Sequence, residues 1–181
     1  FTEFVDFMKY MFTSIIIVAL AACNTTHQTQ KTEFTLIPDT KAKVLKGIIN
    51  RSVLENDTSF AWFTENMKWG QADTSAVTAF RRHAKDFTVI VFGGTWCEDT
   101  HNLWPVFYRL VEKSGYPEKK ITLLAVDRKK QTINNLSQQY HVTNVPTFIV
   151  LHDSKEIGRV VEYGKYNAID KELGEIVNSI H

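Results

Sequence analysis

Hydrophobic and polar positions change period several times along the chain, and each change marks an element. Phe34-Thr35-Leu36-Ile37 and Val44-Leu45 mark residues 33 to 50 as an initial extended segment. Residues 51 to 69 carry Phe60, Trp62, Phe63 and Trp69 and read as helical. Asp73-Thr74-Ser75 is a capping cluster, behind which Ala76, Val77, Phe80 and Ala84 share one helical face. Phe87-Thr88-Val89-Ile90-Val91-Phe92 is a continuous β-prone run, the pattern of a strand covered on both faces. Gly93-Gly94 ends it and leads into Thr95-Trp96-Cys97.

Beyond that turn the spacing predicts a helix from Asp99 to Lys113, with Leu103, Phe107, Leu110 and Val111 on one stripe. Pro105 is expected to kink it. Ile121 to Val126 reads as a second buried strand, stopped at Asp127. A helix over 132–140 would turn Ile133, Leu136 and Tyr140 inward. Strands over 147–151 and 159–163 are joined by a polar turn at 152–156, and Ile169, Leu173, Ile176, Val177 and Ile180 line a last helix. The order β-α-β-α-β-β-α predicts an α/β sandwich, a mixed sheet with helices on both faces.

Composition narrows the function classes. The 181 residues carry a formal net charge of +1, whereas a nucleic-acid binder should show a basic surplus. At 44% hydrophobic and 23% charged, the chain as a whole is not disordered. The length suits one domain with a modest extra segment. Lys119-Lys120 and Arg128-Lys129-Lys130 flank a strand and read as solvated loops. Trp62, Phe63, Met67 and Trp69 read as core or as a covering insertion, with a partner groove as the alternative. No phosphate loop, serine–histidine–acid triad or paired-carboxylate spacing stands out. Two cysteines remain as candidate chemistry, too few for a disulfide scaffold.

Residues 11–22 hold no charge, Lys9 precedes them, and the polar stretch Asn24-Thr25-Thr26 follows. A cationic start, a short apolar run and small closing residues form an export signal. The run is shorter than the roughly 20 residues needed to span a bilayer. Leu20-Ala21-Ala22-Cys23 resembles the lipobox of bacterial lipoproteins, whose cysteine becomes the acylated first residue of the mature chain. The alternative is a buried helix with Cys23 as a small apolar filler. Residues 1–22 are therefore expected to be a signal peptide, with 1–7 an over-extended start. Residues 23–40 are then the lipidated cysteine and tether, and 41–181 the domain with an N-terminal helical extension. Losing Glu3, Asp6 and Lys9 with the signal leaves the remainder near neutral. Attachment would rest on lipid at Cys23, in a bacterial envelope and facing the periplasm.

The second cysteine sits in a richer context. A strand, then Trp96-Cys97-Glu98-Asp99-Thr100, then a helix with Pro105 resembles the thioredoxin superfamily. There Trp-Cys-x-x-Cys follows the strand and a proline lies eight positions after the first cysteine. Val145-Pro146-Thr147-Phe148 resembles that family's cis-proline segment, and the likeness covers residues 75–181. It implies a thioredoxin-like fold and thiol–disulfide exchange at Cys97. Pro146 and Trp96 would shape a groove with Glu98, Asp99, His101, Val145 and Thr147. A thiol at a helix N-terminus faces unpaired N–H groups and the positive dipole end, both of which favour the nucleophilic thiolate. A proline beside it presents backbone to an extended substrate and removes one donor.

Three departures limit the resemblance. Thr100 stands where the resolving cysteine would be, so a mixed disulfide on Cys97 has no internal exit. Val91 stands where the family often carries a buried acid, and Glu98 and Asp99 set two acids beside the sulfur. Thr100 is read either as a hydrogen-bond partner of the sulfur or as an ordinary first-turn residue. His101, four positions on, is a candidate base or hydrogen-bond partner. A Cys–His metal pair lacks further ligands, so neither metal nor cofactor is expected. The function expected is single-thiol redox chemistry through Cys97 with a protein or small-molecule thiol or disulfide partner. The alternative is a redox-inactive module that binds a peptide or protein in the same groove.

Overall fold

A computed structural model describes residues 31–181. The expected signal peptide, Cys23 and most of the tether lie outside these residues. Six strands form one sheet: β1 (Glu33–Ile37), β2 (Val44–Ile49), β3 (Phe87–Gly93), β4 (Ile121–Ala125), β5 (Thr147–His152) and β6 (Lys155–Val161). Their spatial order is β1-β2-β4-β3-β5-β6, and β3–β4 is the parallel pair. The other neighbours run antiparallel, so the sheet is mixed as the element order requires. β1 begins inside the stretch assigned to the tether. Phe34 and Leu36 of that strand pair with Gly47 and Leu45, so the sheet starts earlier than 41.

Alternation along β3 divides the core in two. Val89 and Val91 point into the larger cluster, Ile90 and Phe92 into the smaller, and all four are buried. The larger side is covered by α1 (Arg51–Glu55), α2 (Ala61–Asn66), α3 (Thr74–Arg82), α4 (Glu98–Ser114) and α6 (Ile169–Asn178). The smaller side carries α5 (Leu136–Gln139), and Leu136, Tyr140, Trp96 and Cys97 pack against its cluster, which includes Val142 and Val145. A Cβ on Gly174 would lie 2.5 Å from the Ala76 Cα, so α3 and α6 meet backbone to backbone. Among the described residues no helix is long and apolar enough to cross a membrane.

Local chemistry accounts for where elements depart from the sequence reading. Residues 51–69 are not one helix. Asn50 caps α1 by accepting from the Val53 N–H, and Asp57 caps a separate turn over 58–60 by accepting from Ser59. The predicted 132–140 helix is cut short because Asn134 and Asn135 both take left-handed conformations, with φ of 51° and 54°. Strand β6 starts at Lys155, not 159. Asp153 and Ser154, with φ of 48° and 62°, make a two-residue turn that lets pairing resume at once. Lys155 and Glu156 are polar because they lie on an exposed edge. Asp73 caps α3 as predicted, accepting from the Ala76 N–H at 2.9 Å.

Pro105 lies inside α4, which runs through it from Glu98 to Ser114. Proline has no N–H for the carbonyl four residues back, here that of His101. The Asn66 side chain fills the vacancy, donating Nδ2–H to the His101 oxygen at 3.1 Å. The end of α2 is thereby tied to the first turn of α4.

Candidate functional site

Cys97 is the N-cap of α4, in extended conformation, with a half-buried thiol. Its amide donates to the Gly94 carbonyl at 2.9 Å, and its own carbonyl accepts from His101 N–H at 3.0 Å. Glu98 and Asp99 occupy the first turn, where negative charge opposes the helix dipole's positive end. Glu98 is exposed and Asp99 half-buried. The Val145–Pro146 peptide is cis, and the Cys97 thiol donates to the Val145 carbonyl at 3.6 Å. Two segments 48 residues apart in sequence thus meet at the sulfur. Thr147 Oγ1 donates to Asn144 O at 2.7 Å and fixes the turn that presents Pro146. The Pro146 carbonyl accepts from Glu162 N–H at 2.8 Å, which brings the Glu162 carboxylate to the rim, where it accepts from Asn144 Nδ2.

The remaining candidates have other partners. Thr100 is fully buried, and its Oγ1 accepts from Gly94 N–H at 3.2 Å, so it braces the turn beneath the sulfur. The His101 ring is engaged by Thr95 and Trp62. Its Nε2–H donates to the Thr95 carbonyl at 2.9 Å, the acceptor requiring the proton on that nitrogen. Its ring stacks on Trp62, centroids 4.2 Å apart and planes 20° from parallel. Val91 is buried among apolar side chains on the larger side of the sheet. Trp96 is half-buried and donates Nε1–H to Val126 O at 3.0 Å. A Cβ on Gly94 would lie 2.6 Å from its indole, so the turn has to be glycine there.

Sequence reasoning missed the role of Thr95, which lies between Gly93-Gly94 and Trp96-Cys97. Thr95 is buried, accepts from Leu45 N–H at 3.1 Å and donates to Lys43 O at 2.8 Å. The start of β2 therefore grips the thiol turn by its side chain, while His101 and Trp62 hold its carbonyl. Arg128, read as part of a solvated run, is no free charge. It pairs with both oxygens of Asp39 and lies 5.1 Å from the Trp96 ring centre. The Arg128 guanidinium beside Asp39 holds that carboxyl well below the usual carboxylate range, with the Lys41 N–H adding to the effect. Lys120 is engaged too, donating to the Lys85 and Phe87 carbonyls. Of the four insertion residues, Phe63 is fully buried and Trp69 is 71% exposed, so they do not line one surface. The only sequence signal for this bracing was Pro105, which predicts an orphaned carbonyl at His101 without naming its partner.

A half-buried thiol thus caps a helix N-terminus beside the backbone of a cis-proline strand. The sequence model of the Thioredoxin family matches residues 73–175, more than half of the chain. The chain belongs to the thioredoxin family. A thioredoxin H-type from Picea mariana is 33% identical over 93 residues, covering 51% of this chain and 66% of that protein. A TPR repeat-containing thioredoxin, TDX, from Arabidopsis thaliana is 26% identical over 90 residues, 50% of this chain and 22% of that one. The chain thus spans less than two thirds of either relative. The crystal structure of an HIV epitope-scaffold shares the fold, with a TM-score of 0.54 at 13% identity over 72% of this chain and 92% of that one. Membership points to a redox-related function and to thiol or disulfide groups as the general kind of partner. The matched region begins at the Asp73 cap, so β1, β2, α1 and α2 lie in front of it.

Thr95→Val keeps the shape of the side chain and removes both of its hydrogen bonds. It is expected to cost about 1–3 kcal/mol, because Leu45 N–H and Lys43 C=O lose their partner. Urea unfolding measures the loss, and a cost near zero would show that the turn is not gripped through this hydroxyl.

Proposed function

We propose that the protein is a lipid-anchored, extracytoplasmic thiol–disulfide exchange protein that works through one cysteine. The observation that carries the redox part is the meeting of Cys97 Sγ with the Val145 carbonyl at the cis-proline strand. In the reaction the Cys97 thiolate attacks one sulfur of a partner disulfide. A new S–S bond forms to Cys97, the partner's own S–S bond breaks, and its second sulfur leaves as thiolate. A thiolate from a protein or small-molecule thiol then attacks the mixed disulfide, releasing Cys97 and forming a new partner disulfide. Bonds made equal bonds broken at each step, and no further oxidant enters. Trp96 and Pro146 wall the groove, with Glu98, Asp99 and Glu162 on its rim.

Thr100 determines the character of the exchange. In the position of a resolving thiol it offers a hydroxyl committed to Gly94, so the adduct waits for an external thiol. Incubation with oxidised glutathione should give a Cys97–glutathione mixed disulfide, seen by peptide mass spectrometry and absent in Cys97→Ser. Thr100→Cys should shed the adduct within the dead time of sampling, whereas the natural protein keeps it until thiol is added. If Cys97 takes up no glutathione, the exchange reading fails and the groove serves binding alone.

The anchor rests on Lys9, the apolar run 11–22 and the Leu20-Ala21-Ala22-Cys23 pattern. Expressed in a bacterium that processes lipoproteins, the full chain should partition into the detergent phase of a cloud-point separation. Cys23→Ala should move it to the aqueous phase, and partition that is indifferent to Cys23 overturns the lipid anchor.

A further inference from the structure

The β1–β2 hairpin reaches the thiol site by a second route, through charge and not through Thr95. Asp39 lies in the β1–β2 connection, 34 residues before the family-matched region begins. Its Oδ1 accepts from the N–H groups of Lys41 and Ala42 at 2.8 and 3.0 Å, so its own turn fixes the carboxylate. Arg128 Nε meets Oδ2 at 2.5 Å and its NH2 group meets Oδ1 at 3.1 Å, a two-pronged pairing that sets the guanidinium's position and tilt. The loop beneath Arg128 is fixed as well. Asp127 Oδ1 accepts from the N–H groups of Lys129 and Gln131, and its Oδ2 from Lys46 Nζ of β2 at 2.8 Å.

The guanidinium placed in this way lies over the Trp96 ring. Without it the indole's remaining polar anchor is the hydrogen bond to Val126 O. Trp96 precedes Cys97 in the chain, and both pack on the smaller core cluster. Any freedom of the indole is therefore freedom of the wall beside the sulfur. We propose that Asp39 is a positioning residue for Cys97, acting through Arg128 and Trp96, so that access to the thiol is set from in front of the family-matched region. The inference rests on Cys97 being the reacting thiol. Arg128 is 44% exposed, so added salt weakens the pair and loosens the indole in the same direction as mutation.

The test uses the full chain and reads two quantities, neither of which requires disulfide exchange. One is the rate at which iodoacetamide alkylates Cys97, followed by peptide mass spectrometry. The other is the 19F NMR signal of Trp96 in 5-fluorotryptophan protein, assigned with Trp96→Phe. Asp39→Asn keeps an oxygen for the turn's two N–H donors and removes the ion pair. It is expected to speed alkylation about two- to fivefold, the range open to a partly exposed ion pair, and to broaden or shift the Trp96 signal. Arg128→Met should do the same. Glu156→Gln breaks an ion pair with Arg159 near the opposite edge of the sheet and should change neither. In a Trp96→Phe background Asp39→Asn should have no further effect on the rate. The proposal is overturned if Asp39→Asn leaves rate and signal unchanged, or if it alters the rate equally with Trp96 absent. Failure of glutathione uptake with this coupling intact would remove the exchange reading and leave the positioning role standing.

Discussion

Thr95 is the residue on which the geometry of the site depends. Its hydroxyl is shared between the Lys43 carbonyl and the Leu45 N–H, and its carbonyl takes the His101 Nε2 proton. A turn between a central strand and a long helix would otherwise be held by those two elements alone. Here the hydroxyl of the residue two before the cysteine is given to the β1–β2 hairpin, and its carbonyl to His101, whose ring stacks on Trp62 of α2. The half-buried sulfur stays where the helix N-terminus and the Val145 carbonyl meet because its approach is fixed in this way.

The same division of labour explains the helix that follows. A proline in the second turn of α4 removes a donor, and the freed carbonyl would be a cost in a covered location. Asn66 supplies the missing N–H, and Arg109 of the same helix donates back to the Asn66 carbonyl at 2.8 Å. The connection runs both ways between α2 and α4. Helix α2 therefore does more than cover apolar surface, since it completes the hydrogen bonding of the helix that carries the thiol.

Much of the fold was legible because its signals are local. Phe87 to Phe92 is apolar on both faces, Asp73 caps, and Ile169 to Ile180 repeats at helical spacing. The errors fell where a single polar residue decides the backbone. Asn134 and Asn135 turn left-handed, Asp57 starts a separate turn where the aromatics suggested one continuous helix, and Asp153-Ser154 closes a hairpin tighter than its composition indicated. The site was legible along the chain but not across it. Cys97, Thr100 and Pro146 sit in a motif, and the motif names them. Arg128 and Asp39 are 89 residues apart, in stretches that look like any solvated loop and turn, so only the folded chain brings them together. His101 shows the converse, since its spacing from Cys97 is right for contact while Trp62 and Thr95 hold its ring elsewhere.

On the proposed reading, a thiol with Thr100 in the resolving position should exchange once and stop. The most direct measurement of that claim is the amount of thiolate set free when the protein meets an excess of an aromatic disulfide such as dithiobis-nitrobenzoate. The quantity is the difference between the natural chain and Cys97→Ser, so that any other cysteine cancels. The account predicts a difference of one thiolate per chain and an adduct that persists until an external thiol is added. A difference of two, or of none, would contradict it.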